Sequence, residues 1–282
     1  MVLFMSEAFA NVNGIKICYE IHGEGYPVIL VHGFGSRKES WMGQFPILSQ
    51  KYKVIRFDNR GAGKSDRPDM PYTMEIFVED IKALMEFLDI NRAHLLGFSL
   101  GGTILQHFTL KYPERVNKLV LINSIAKIPE GYGPDMFISS HLRGLELIKV
   151  DPVKAFWHGT KTGFYVKFRK EMESNPKKKF YNLWSVEDLI NYYKNFSPKP
   201  QDIKNLAHAL TTINAFEKLS EIQCKTLVLT ASHDRLVPKS IIYEIHKKIP
   251  NSIFKMIDKA GHESPKEKAP EVNETISDFL EN

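Results

Sequence analysis

Short apolar runs rich in Val, Ile and Leu alternate along this chain with longer stretches of helical period. That alternation constrains the fold more than any other feature. Strands of a parallel sheet are covered by helices on both faces, so they read as continuous hydrophobic segments with helix-forming sequence between them. The expected strands are Ile15 to Ile21, Val28 to Val31, Val54 to Phe57, His94 to Gly97, Leu119 to Ile122, Thr226 to Leu229 and Ile253 to Ile257. The clearest helix spans Met74 to Leu88, where Phe77, Val78, Ile81, Leu84, Met85 and Leu88 recur at three- and four-residue steps and form one apolar stripe. A second helix is predicted from just after Ser99 to Tyr112, with Pro113 favouring a stop there.

Between Ile125 and Ser220 the strand signal disappears, and the sequence reads as several helices joined by polar segments such as Gly131-Tyr132-Gly133-Pro134 and Ser197-Pro198-Lys199-Pro200. It resumes at Thr226, which predicts a helical lid over 125–220 inserted into one core made of 1–124 and 221–282. A chain of 282 residues, 43% hydrophobic, is long enough for one such core and its insertion. The formal charge of +5 is scattered, with Lys177-Lys178-Lys179 the only tight run, so charge points to no nucleic-acid partner. Cys18 and Cys224 lack the spacing of a disulfide framework or a zinc site and are expected as reduced, buried thiols. The first residues have no basic start or long apolar stretch, and no segment reaches the ~18 apolar residues of a spanning helix. A cytoplasmic protein without a membrane span is the expectation, as a monomer or homodimer.

The chemistry concentrates on Gly97-Phe98-Ser99-Leu100-Gly101, followed by Gly102. A serine between a predicted strand and a predicted helix must sit on a sharp turn to project its hydroxyl above the sheet, and flanking glycines leave room for that turn. The helix that follows points its N-terminus at the site, where unpaired N–H groups favour negative charge. His32-Gly33-Phe34-Gly35 closes another expected strand. Its Phe34 N–H, with that of Leu100, can hold the oxyanion of an acyl transfer. His32 itself is read as fixing the loop. A serine hydroxyl needs a base at neutral pH, and His262, in a loop after the last expected strand, is the best placed of ten histidines. Asp234 follows the strand ending near Leu229 and is the candidate to orient that imidazole.

Rival assignments fare worse. His32, Asp58 and Ser99 follow the chain order of chymotrypsin-like proteases, but that fold is all-β and has no place for the 74–88 helix. Asp58-Asn59-Arg60-Gly61-Ala62-Gly63-Lys64-Ser65 lacks the glycine spacing of a phosphate loop and is read as a structural turn. No H-E-x-x-H or paired Cys/His spacing supports a metal site.

On these motifs, together with Val237-Pro238 after Asp234 and Gly261 before His262, the chain resembles the α/β-hydrolase superfamily along nearly its full length. The similarity is to the small esterase, enol-lactonase and C–C bond hydrolase branch. The order Ser99, Asp234, His262 is that of the family's nucleophile, acid and base. The resemblance implies a mostly parallel eight-stranded sheet, helices on both faces, a helical lid and no cofactor; the strand missing from the list above is then expected around Ala8 to Val12. Dehalogenases and epoxide hydrolases of this fold use an aspartate where Ser99 stands, which argues against their chemistry here. The expected activity is hydrolysis of a small or medium apolar acyl or aryl ester through an acyl-enzyme on Ser99, with lactone opening, C–C bond hydrolysis of a β-diketone or cofactor-free perhydrolysis as alternatives, and a ligand-binding receptor as a further one. Substrate contacts are assigned to Phe34 and Leu100, to Trp157 among the aromatics of the lid, and to Val237.

Overall fold

A computed structural model describes residues 7–128, 131, 133–195 and 198–282. Tyr132 and Ser197, in two of the expected joints, lie outside the described residues. Eight strands, β1 (Ala8–Val12), β2 (Ile15–His22), β3 (Pro27–Val31), β4 (Lys53–Phe57), β5 (Ala93–Phe98), β6 (Val116–Ile122), β7 (Lys225–Ala231) and β8 (Ser252–Ile257), form one sheet. Its spatial order is β1-β2-β4-β3-β5-β6-β7-β8. β1 pairs antiparallel with β2, and β2 with β4; every other pair is parallel. The extra N-terminal strand lies where the resemblance implied it.

Why the central strands read as unbroken apolar runs is visible in their two faces. Ile29 and Val31 of β3, Leu95 of β5, Leu119 and Leu121 of β6 and Val228 of β7 join one core. Their neighbours Val28, Leu30, Leu96, Val120, Ile122, Leu227 and Leu229 join the other. Side chains alternate faces with a period of two, so a sheet buried on both sides needs apolar residues at every position. The first face packs against α1 (Met74–Phe87), α2 (Leu100–Lys111) and, further along the chain, the helix Lys239–Lys248. The second packs against Trp41, Phe45 and the C-terminal helix Ala269–Glu281. α1 begins at Thr73, whose hydroxyl accepts the Ile76 N–H as an N-cap. Cys18 is buried in β2, whereas Cys224 is only half-buried; neither forms a disulfide.

The chain between β6 and β7 is helical: α3 (Pro134–Val150), α4 (Pro152–Gly163), α5 (Val166–Ser174), α6 (Val186–Asn195) and α7 (Pro200–His208). It has an aromatic core of its own, with Phe156, Phe164, Phe168, Phe180 and Trp184 packed on Met172, Val186 and Leu189. Among the described residues, no helix is long and apolar enough to cross a membrane.

Candidate active site

Ser99 follows β5 directly and precedes the first residue of α2, with φ 53° and ψ −121°. A positive φ is strained for a residue with a Cβ, and such strain persists only where the surroundings over-determine it. Here they do. The Ser99 N–H donates to the Ile122 carbonyl of β6, while its own carbonyl accepts from the Gly102 and Thr103 amides of α2. A Cβ at Gly101 would lie 2.0 Å from the Val31 carbonyl oxygen, so only glycine lets α2 approach β3 this closely. The turn predicted from the sequence is therefore dictated by backbone proximity.

The loop after β3 lies beside the serine: an ideal Cβ on Gly33 would be 3.2 Å from Ser99 Cβ. Buried His32 holds this loop. Its Nδ1–H donates to the Gly33 carbonyl at 2.9 Å and its Nε2 accepts the Asn59 N–H at 3.0 Å. Burial keeps the imidazole below its ordinary pKa, against the raising influence of Asp58, and both nitrogens are occupied as a neutral ring allows. Among the described residues, neither the Phe34 nor the Leu100 N–H has a protein acceptor. The Asp58 loop is likewise structural, its carboxylate accepting the Lys38 N–H at 2.8 Å and the Lys64 N–H at 2.9 Å.

His262 and Asp234 meet as their loops suggest. Nδ1 of His262 donates to Oδ2 of Asp234 at 2.7 Å. Oδ1 of the same carboxylate accepts the Leu236 and Val237 amides at 2.8 and 2.9 Å, and the carboxylate is fully enclosed. Burial works against the imidazolium, but the charge and hydrogen bond of Asp234 outweigh it and raise the His262 pKa above its ordinary value. The Phe98 ring lies 5.0 Å from the imidazole, with the two planes inclined at 43°. Ser99 and His262 line one cavity of about 550 Å³, together with Phe34, Leu100, Val237 and apolar side chains that include Phe137, Phe164 and Leu210. The Ser99 hydroxyl and the imidazole share that wall without a direct hydrogen bond in this conformation; such bonds commonly tighten only when substrate binds. A second cavity of about 800 Å³ adjoins the first, sharing Gly35, Ser36, His141 and Tyr192.

One expected contact is corrected. Trp157 is not in the lining of either cavity; it packs on the helical core, 5.0 Å from the Phe156 ring, and Phe156 faces the cavity in its place. Consecutive residues on a helix point about 100° apart, so an aromatic pair on α4 can present only one member to a given surface. Two supporting residues were not foreseen. Asn123, left-handed at φ 49° after β6, donates from Nδ2 to the His262 carbonyl at 2.7 Å and to Ser264 Oγ at 3.0 Å. Fully buried Glu267 accepts the Gly261 N–H at 2.7 Å and the Tyr165 N–H at 2.8 Å, tying the histidine loop to the helical insertion. Burial pushes its carboxyl up to about 7, against those two amides, which favour the carboxylate. An Asn at a strand end is a usable sequence signal; Glu267 offers none, because one partner is 102 residues away.

Comparison with known proteins agrees with this architecture. Residues 26–269 match the family model of the alpha/beta hydrolase fold. Among curated relatives, a 2-hydroxy-6-oxononadienedioate/2-hydroxy-6-oxononatrienedioate hydrolase of Comamonas testosteroni is 27% identical over 289 residues, covering 96% of this chain and 93% of that protein. Two solved structures share the fold at 24% identity: the enol-lactonase of Burkholderia xenovorans LB400, with TM-score 0.82 over 98% of this chain and 100% of that one, and a thermophilic esterase of Thermogutta terrifontis, with TM-score 0.81 over 98% of each. The chain belongs to the α/β-hydrolase family and is a hydrolase.

Proposed function

We propose that this hydrolase cleaves carboxylic esters of small or medium apolar acyl or aryl groups through an acyl-enzyme on Ser99. The observation that carries the reading is the convergence on one cavity wall of a strained, outward-turned Ser99 and an imidazole oriented by Asp234. In the proposed reaction, His262 takes the hydroxyl proton of Ser99 through Nε2 as the oxygen bonds to the ester carbonyl carbon. The Phe34 and Leu100 amides hold the resulting oxyanion. The tetrahedral species collapses with loss of the alcohol, which leaves with the proton from His262. Water, deprotonated by the same imidazole, then releases the acid and restores Ser99. The helical segment 125–220 serves in this reading as the cap over a core of 1–124 and 221–282, and apolar Phe137, Phe164 and Val237 favour an apolar acyl group.

The similarity to a C–C bond hydrolase favours a second reading, in which the same residues cleave a carbon–carbon bond next to a ketone. A p-nitrophenyl ester series from acetate to long-chain acyl, run with wild type and Ser99→Ala, tests the first. Turnover that disappears in the variant supports it and ranks acyl lengths. A folded wild type inert on the whole series overturns it, and the assay moves to lactones and β-diketones.

A further inference from the structure

The roof of the catalytic cavity carries a polar group for which the acyl-transfer chemistry has no use. His141, on α3, lines both cavities and packs its ring 4.6 Å from that of Phe34. Phe137, one turn earlier, packs on the same Phe34 ring at 5.8 Å, so an i, i+4 pair docks α3 on the loop after β3. The Nδ1 of His141 lies 2.8 Å from the Phe137 carbonyl. A carbonyl can only accept, so Nδ1 bears the hydrogen, and in the neutral ring Nε2 is left as an acceptor. Burial holds the imidazole below its ordinary pKa, against that backbone bond, which keeps the ring neutral at pH 7. Among the described residues, no protein donor reaches Nε2.

Two contacts bear on the position of that acceptor. An ideal Cβ on Gly33 would be 3.2 Å from Ser99 Cβ, and one on Gly35 would be 3.4 Å from His141 Cδ2 and 3.6 Å from its Nε2. Two residues of chain span at most about 7 Å. These contacts bound the separation without fixing it; what they show is that His141 stands on the wall of the cavity that Ser99 and Phe34 also line, with Nε2 open to a polar group on an acyl chain whose carbonyl sits at the Phe34 amide. We infer that His141 Nε2 is a specificity site that accepts a hydrogen bond from a hydroxyl carried on the acyl group near its carbonyl, so that the preferred substrates are hydroxy-acyl esters. The inference rests on the acyl-transfer reading for the placement of the carbonyl.

Equilibrium binding to Ser99→Ala separates this site from turnover. The probes are two matched pairs: methyl mandelate with methyl phenylacetate, and methyl 3-hydroxy-3-phenylpropanoate with methyl 3-phenylpropanoate. In at least one pair the hydroxy ester should bind about fivefold to tenfold more tightly, the worth of one hydrogen bond. Adding His141→Phe, which keeps a ring on Phe34, should erase that preference while leaving the deoxy ester's affinity within about twofold. His141→Gln, which retains an acceptor oxygen, should recover part of it. Equal binding within both pairs, a preference that survives His141→Phe, or no binding of any probe overturns the inference. If the preference holds but wild type is inert on these esters and on the whole p-nitrophenyl series, the acyl-transfer reading fails and the hydrogen-bonding subsite stands as a binding site; turnover of the p-nitrophenyl series with no preference removes the subsite alone.

Discussion

The sheet and the helical segment between β6 and β7 solve different problems. In the sheet, the candidate groups are held by backbone: Ser99 by the Ile122 carbonyl and the amides of α2, Asp234 by two consecutive amides, His32 by Gly33 and Asn59. In the insertion, cohesion comes from stacked and tilted rings such as Phe180 on Trp184, 4.8 Å apart, and Phe168 on Phe180, 5.1 Å apart. It meets the core through side chains, Glu267 at the Tyr165 N–H, Tyr181 at the Glu267 carbonyl, Tyr192 at Ser36 and Arg67 at Asp202, besides backbone bonds from the Glu263 N–H to Gly163 and from the Tyr72 N–H to Asn205. Chemistry that needs a reacting group fixed within a fraction of an ångström belongs on the first kind of scaffold. Selectivity, which changes by exchanging side chains, belongs on the second.

The comparison predicts that the largest losses come from the core. Ser99→Ala should lower kcat on any accepted ester by about 10⁵-fold or more, with an unchanged Tm. Asp234→Asn should cost about 10⁴-fold, because the amide no longer enforces the tautomer of His262. It also removes the two largest influences that raise the His262 pKa, leaving burial, which lowers it, against the weaker raising influence of Glu263. The base must be neutral to act, so the acid limb of kcat/KM in wild type should lie above pH 6.5 and should move down in Asp234→Asn. A limb that moves up, or stays in place, would separate Asp234 from His262.

A pair of glycines sets the two regions against each other on stability. Gly101→Ala drives a methyl group to within 2.0 Å of the Val31 carbonyl and should cost about 1–3 kcal/mol, with activity lost as α2 shifts from β3. Gly144→Ala, inside α3 and with nothing within 4 Å of the added Cβ, should stabilise by about 0.5–1 kcal/mol through helix propensity alone. Thermal melts of both variants decide the matter, and a comparable loss in each would mean that the insertion is as tightly constrained as the core.

The same contrast explains what could be read from the sequence. The strands, the turn at Ser99 and the loops of Asp234 and His262 were legible because each is a local rule: continuous apolar runs, glycines where backbones touch, polar residues after strand ends. The insertion gave its helical character but not its facing. Phe156 and Trp157 are adjacent and equally aromatic, and only the rotation of α4 decides which one meets the cavity. His141 and Glu267 were silent for a related reason. Their significance comes from Phe34 and Tyr165, each about a hundred residues away, and no periodicity encodes such a pairing.

Glu267 stands where the two regions join, and the smallest predicted effect tests whether it couples them. Its folded pKa of about 7 lies above the ordinary value of 4.5, so its contribution to stability is complete below about pH 4.5 and is lost as pH rises through 7. Glu267→Gln keeps the oxygen that accepts from Gly261 or Tyr165 and cannot ionise. Between pH 5.5 and 8.5 the wild-type Tm should therefore fall by several degrees more than that of the variant. Parallel Tm curves would show the carboxyl to be charged throughout. The junction would then be a fixed ionic clasp, with the histidine loop and the insertion locked together across the working pH range.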